Sequence, residues 1–251
     1  MKPIHAVDVG AARGIQKQWL PYLDYLQVSA FEPYGPEWLR LCNTVPKNVS
    51  VFPVALAETS GRREFHVLKT PSGSSLLKPN MAFREYWTED YIGLEKTILV
   101  DCKSFADFRK ANGLPAPELL KLDTQGTEGA ILAGFWVEDW QALQAVKVEV
   151  SFVELYHGQM LFPELHAMLT NHGLTLMDLK RGPYSRCIDK PDVCPFFHGD
   201  ALYFRLRDNF EDRTELARYL LICEMYKFTD QIVYLTRKYR DELSCGDRRP
   251  H

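Results

Sequence analysis

Two short segments near the start of the chain carry residues whose types and spacing suit the binding of a small charged ligand. The first, Val7-Asp8-Val9-Gly10-Ala11-Ala12-Arg13-Gly14, reads as a strand ending in a glycine turn that opens toward a helix. Glycine and alanine at such a turn let a ligand approach backbone N–H groups closely, which makes Gly10, Ala11 and Gly14 candidate contacts. The spacing is Gly-x-x-x-Gly, not the Gly-x-Gly-x-x-Gly of dinucleotide binders. Asp8 puts a negative charge in the turn, which disfavours a pyrophosphate and favours a sulfonium or an amino group. The second segment is Phe31-Glu32-Pro33, at the end of the next strand. A carboxylate emerging there, beside the glycine turn, can accept both hydroxyls of an adenosine ribose. Together Asp8, Gly10, Gly14, Glu32 and Pro33 predict a site for S-adenosylmethionine.

A third segment, Leu119-Leu120-Lys121-Leu122-Asp123-Thr124-Gln125-Gly126-Thr127-Glu128, lies in the second half. In open α/β sheets ligands sit beyond the carboxyl ends of the strands, so Asp123 is expected to face the same crevice as Gly10 and Glu32. Lys121 inside an apolar strand needs an anionic partner, and Glu149 is the candidate. A structural ion pair and a catalytic role are both open for it. Cys187, Cys194 and His198 are spaced Cys-x6-Cys-x3-His, which matches no common closed zinc pattern, and no metal is predicted.

The elements that must hold these residues follow from periodicity. Strands are expected at 5–9, 27–31, 49–54, 64–68, 97–102, 119–123, 146–150, 174–179 and 201–206, the last antiparallel beside its neighbour. Helices are expected at about 15–23, 36–41, 104–112, 127–133 and 163–172. The alternation signals a mostly parallel sheet with helices on both faces. Residues 70–96 and 181–199 form long connections, the kind that carries function. Ser72-Gly73-Ser74-Ser75 in the first reads foremost as a flexible polar connection and otherwise as a loop that reaches over a ligand, and Tyr86, Trp87 and Tyr91 can form a platform for a sugar ring or pack as a satellite core. Residues 211–243 carry helical spacing, with Leu216, Leu220, Cys223, Met225, Phe228, Ile232 and Leu235 on one apolar stripe.

The 251 residues are 46% apolar and 25% charged, enough to bury a core. Thirty Lys and Arg against 33 Asp and Glu leave a net charge of −3, which argues against nucleic acid or an anionic membrane surface as partner. No apolar run reaches the roughly 20 residues of a membrane span. With no signal-peptide pattern and scattered cysteines, a cytoplasmic protein is expected.

The segments VDVGAARG, FEP, LLKLDTQGTEGAILAG and VEVSFVELYHGQMLFPELHAMLTNHGL, with Asp200-Ala201-Leu202-Tyr203-Phe204, resemble the FkbM family of class I S-adenosylmethionine-dependent methyltransferases over most of residues 4–206. The resemblance implies a Rossmann-like α/β fold with a seven-stranded, mostly parallel sheet and one antiparallel strand. It also implies methyl transfer to a hydroxyl of a carbohydrate or natural-product scaffold. It places backbone at Ala55 and Leu56 around the adenine. A hydroxyl acceptor must lose a proton, and Asp123, Glu149 and His157 are the candidate bases. Asp123 can instead bind the amino group of the methionine moiety. The chain divides into a methyltransferase domain, 1–206, and a C-terminal helical extension, 207–251, which covers an open surface of the domain or mediates a homodimer. A nicotinamide-dependent oxidoreductase and a non-catalytic cofactor-binding scaffold are the alternative readings.

Overall fold

The computed structural model describes residues 2–83, 92–182 and 195–240. Its strands are β1 (Ile4–Val9), β2 (Leu26–Phe31), β3 (Val49–Phe52), β4 (Ala55–Leu56), β5 (Gly61–Leu68), β6 (Leu94–Lys103), β7 (Leu119–Leu122), β8 (Ala145–Ser151), β9 (Thr175–Arg181) and β10 (His198–Phe204). Its α-helices are α1 (Gly35–Cys42), α2 (Phe105–Ala111), α3 (Glu128–Ala133), α4 (Val137–Ala142), α5 (Phe162–Asn171), α6 (Arg213–Met225) and α7 (Thr229–Lys238).

Seven strands form one sheet in the order β3-β2-β1-β7-β8-β10-β9. β10 runs antiparallel to both neighbours, and the remaining pairs are parallel. This is the α/β sheet expected from the sequence. Two expected strands, 64–68 and 97–102, go elsewhere. Residues 97–102 belong to β6, which pairs antiparallel with β5 and parallel with β4 in a separate three-stranded sheet. The inward row Phe65, Val67, Val100 and Cys102 builds a small core there with Ala55 and Ala57. Periodicity reports that a strand has a buried face, but not which sheet buries it.

Alternation along the strands sorts the main sheet into two faces. Val7, Val9, Leu120, Leu122, Val146 and Val148 meet Phe105, Ile131, Leu132, Trp140, Leu165 and Leu169 of α2 to α5. On the opposite face Ile4, Ala6, Leu119, Ala145 and Phe204 pack with Trp19, Leu216, Tyr219, Ile222, Cys223 and Leu235. The C-terminal helices therefore share a core with the sheet, and the buried Trp19 indole donates to the Tyr226 hydroxyl at 3.0 Å. The single helical run expected over 211–243 is broken between Met225 and Thr229, where Lys227 adopts φ 58°.

The stretch expected as a helix at 15–23 is a 3-10 helix over Lys17–Tyr25. Pro21 inside it has no N–H to donate, which removes one rung of an α-helix. α4, six residues long, was not expected from the sequence. It starts where the Trp136 N–H donates to the Asp139 carboxylate at 3.0 Å.

Candidate active site

Near the carboxyl ends of the strands the second face of the sheet changes from apolar to charged. Asp8, Lys121 and Lys147 stand in register across β1, β7 and β8, and Glu149 stands opposite Asp200 on β10. Lys121 Nζ lies 3.1 Å from Asp8 Oδ1 and 3.7 Å from Asp123 Oδ2, and donates to the Gly10 carbonyl at 2.8 Å. The partner of Lys121 is thus Asp8, its register neighbour, and not Glu149 as expected. Burial works against the Lys121 charge, but Asp8 and Asp123 outweigh it and hold the ammonium protonated.

That pair revises the role expected of Asp8. Its side chain is fully buried, balanced by Lys121, and its Oδ2 accepts the Gln16 N–H at 2.7 Å. It ties the turn to the following helix and does not line the cavity. Ala11 is also sealed in the core. Gly10 does line the cavity, at φ 78°, yet its missing Cβ serves the sheet as well. A Cβ there would stand 1.9 Å from the Asp123 carbonyl oxygen, so the bare backbone is what lets the end of β7 come alongside. Gly14, at φ 100°, has open space around it.

The cavity encloses about 260 Å³. Gly10, Gly14, Glu32, Pro33, Ala55, Leu56 and Asp123 all reach it, together with Glu149, so one pocket gathers sequence-predicted residues from the ends of β1, β2, β4, β7 and β8. Glu32 is almost wholly buried, its Oε1 accepts the Tyr34 N–H at 2.9 Å, and burial pushes its carboxyl up to about 7. Phe31, Val54, Ala55, Leu56 and Phe65 supply an apolar wall next to it. Ser72 and Ser74 also line the cavity, and Arg13, another lining residue, donates to Ser72 Oγ at 2.6 Å. A second groove of about 340 Å³ joins the cavity at Asp123 and Asp200 and runs over Lys147, Asp178 and Lys180.

The loop after β7 is the most constrained part of the site. Glu128 accepts the Thr124 N–H at 2.7 Å, the Thr124 hydroxyl at 2.9 Å and the Gly126 N–H at 3.0 Å, which folds Asp123-Thr124-Gln125-Gly126 back on itself. Gln125 takes φ 59°, unusual for a residue with a side chain, and its amide becomes a hub. Its Nε2 donates to Asp123 Oδ1 at 3.0 Å and to Glu149 Oε2 at 2.8 Å, and its Oε1 accepts the Tyr156 hydroxyl at 2.9 Å. The two carboxylates, which accept and do not donate when ionised, fix which way the amide points. Burial, reinforced by the charge of Asp123 and opposed by His198, pushes the Glu149 carboxyl up to about 7.

His157 is displaced from the expected role. It is exposed, its backbone N–H donates to the Lys78 carbonyl at 2.9 Å, and it does not line the cavity. The histidine that does is His198, with Nδ1 3.4 Å from Glu149 Oε1. Sequence reasoning considered His198 only as a metal ligand and gave Gln125 and Tyr156 no role of their own. The quoted run Asp-Thr-Gln-Gly contained Gln125, but nothing in it showed which carboxylates the amide would join. Of the residues considered for zinc, Cys187 and Cys194 lie outside the described residues, as do Tyr86, Trp87 and Tyr91.

Residues 8–175 match the family model described as Methyltransferase FkbM domain. The chain belongs to the FkbM methyltransferase family. That match takes in the glycine turn, Glu32, Asp123 and Glu149, and stops before β10 and His198. Among curated proteins this FkbM chain is similar to the 2-O-methyltransferase NoeI of Sinorhizobium fredii (strain NBRC 101917 / NGR234), 26% identical over 165 residues. The aligned part is 61% of this chain and 66% of NoeI, so the chain spans just under two thirds of that relative's length. Two solved methyltransferases are distant likenesses. A precorrin-6y C5,15-methyltransferase from Geobacter metallireducens GS-15 has TM-score 0.40 and 9% identity, with 81% of each chain covered. The glycopeptide N-methyltransferase MtfA, complexed with S-adenosyl-L-methionine, has TM-score 0.31 and 7% identity, with 81% of this chain and 82% of MtfA covered. No helix among the described residues is long and apolar enough to cross a membrane.

Proposed function

We propose that the protein is an S-adenosylmethionine-dependent O-methyltransferase whose acceptor is a hydroxyl of a carbohydrate, glycan or natural-product small molecule. The observation that carries this reading is the single cavity into which Gly10, Glu32, Asp123 and Glu149 converge. The residues present fit the cofactor. Glu32 offers a buried carboxylate to a ribose diol, and the apolar wall of Val54, Ala55, Leu56 and Phe65 suits an adenine ring. Asp123, with a side chain 43% exposed, offers a carboxylate to an amino group. When bound, the cofactor supplies an electrophilic methyl group on a sulfonium centre.

The protein's own work is positioning and proton removal. Holding an acceptor oxygen in line with the methyl group is worth several kcal/mol of barrier, about 7 at the low end of the range for well-oriented reactants. The charged groove over Lys147, Asp178, Lys180 and Asp200 leads to Asp123 and offers alternating donors and acceptors to a polyhydroxylated molecule. Glu149, held from one side by Gln125, is the centre of the proton-accepting group. The name of NoeI, a 2-O-methyltransferase, supports a hydroxyl acceptor.

Calorimetric titration with S-adenosylmethionine and S-adenosylhomocysteine tests the cofactor class, repeated on Glu32→Ala. Micromolar binding that weakens at least about tenfold in the variant is expected, from loss of charge-assisted hydrogen bonds. Absence of binding by the intact protein, with binding of NAD instead, would overturn the reading. Radiolabelled methyl transfer to a panel of glycosides then tests the acceptor class.

A further inference from the structure

We propose that His198 is the catalytic base of this site, with Glu149 as the carboxylate that orients its ring. The inference rests on the methyltransferase reading above and adds to it the atom that takes the proton.

Three geometric observations support it. His198 lines the cavity beside Asp123 and Glu149 at the carboxyl edge of the sheet. Its Nδ1 faces Glu149 Oε1 at 3.4 Å, while the other oxygen of Glu149 is occupied by Gln125 at 2.8 Å. The ring also packs directly against a glycine. A Cβ on Gly182 would stand 2.4 Å from His198 Cε1 and 2.6 Å from both ring nitrogens. The Gly182 N–H donates to the His198 carbonyl at 2.9 Å, so that bare position and the histidine are tied together. Tyr156, Gln125, Glu149 and His198 thus form a chain in which each member fixes the next. A carboxylate that orients an imidazole and stabilises its protonated form is a well-understood arrangement for proton removal near neutral pH.

The step balances. The acceptor O–H bond breaks and its proton passes to a ring nitrogen of His198. The freed electron pair on oxygen forms the new O–CH3 bond as the C–S bond cleaves, and the electrons of that bond stay on sulfur. The imidazolium left behind lies against Glu149 and returns its proton to water. The charged side chains that line the cavity with His198 are Glu149, Asp123, Lys121, Arg13, Glu32 and Asp200, and Lys147 and Lys180 line the groove that adjoins it at Asp200.

The test combines His198→Gln, Glu149→Gln and Gly182→Ala with three readouts. Calorimetry with S-adenosylhomocysteine should leave His198→Gln within about threefold of the intact protein, whereas failure of the intact protein itself to bind would sink the methyltransferase reading and not this assignment alone. Methyl transfer to glycerol, as the simplest polyol probe, should fall about 100-fold or more in His198→Gln and lose its acidic limb. Ring NMR of the S-adenosylhomocysteine complex should show His198 titrating between about pH 5 and 9, with a lower midpoint in Glu149→Gln and a displaced ring signal in Gly182→Ala. Transfer by His198→Gln within threefold of the intact protein overturns the assignment. So does a ring that fails to titrate in that range, or one whose midpoint ignores Glu149→Gln, and this arm decides the matter even if glycerol accepts no methyl group.

Discussion

Asp8 and Lys121 stand opposite one another on adjacent parallel strands, their charged atoms 3.1 Å apart and both side chains closed off from solvent. The pair sits under the glycine turn, where Lys121 also donates to the Gly10 carbonyl. Removing one partner strands the other charge in the core. Lys121→Met is expected to destabilise the protein by about 3–5 kcal/mol in denaturant unfolding. The double variant with Asp8→Asn should recover part of that loss, because no charge then remains uncompensated. Equal unfolding midpoints for Lys121→Met and the intact protein would show that the pair contributes nothing.

Glu32 illustrates a site residue held against the interest of stability. Its carboxyl is raised to about 7 by burial, above the 4.5 of an exposed glutamate. The stability it contributes is therefore complete below about pH 4.5 and is lost as pH rises through about 7. Glu32→Gln should make the protein more stable at pH 8 by up to about 3 kcal/mol, while weakening S-adenosylmethionine binding by at least about tenfold. The stability gain should shrink as pH falls toward 4.5. Thermal unfolding of both forms across that range checks the sign.

His5 acts in the opposite direction. Buried on β1 with Nε2 3.0 Å from Ser29 Oγ, it is pushed down to about 4 by burial. Its contribution is present above about pH 6.5 and is lost as pH falls toward 4, a loss of about 3 kcal/mol over the window. His5→Gln keeps a donor for Ser29 and should flatten that part of the stability profile. A variant with an unchanged slope between those pH values would refute the assignment.

The C-terminal helices make a plainer prediction. Leu216, Tyr219, Ile222, Cys223 and Leu235 cover one face of the sheet, and Trp19 loses its hydrogen-bond partner without Tyr226. Truncation after Arg207 should expose this apolar face and give aggregated or poorly folded protein by light scattering and circular dichroism. A monodisperse, folded truncation product would show that the extension is dispensable.

Much of this molecule was legible in the order of residue types. The glycine turn, Glu32 at the end of β2 and Asp123 at the end of β7 lie at positions that local rules identify, because strand ends and turns are written in nearby residues. The alternation of Val146-Lys147-Val148-Glu149-Val150 likewise announced that one face of β8 is apolar and the other charged. What alternation leaves undetermined is the neighbour. Lys121 found Asp8 and not Glu149 because β1 happens to pair with β7 in a register that sets the two opposite. β6 left the main sheet for the same kind of reason, a pairing with β5 that no local pattern encodes. His157 and His198 are separated by 41 positions and look alike as sequence, yet one ends on the surface and the other over Gly182 beside Glu149. Composition and period determine which side chains must be buried and which strand ends can hold a ligand. Strand order and register, set by packing between distant segments, decided which of those groups meet.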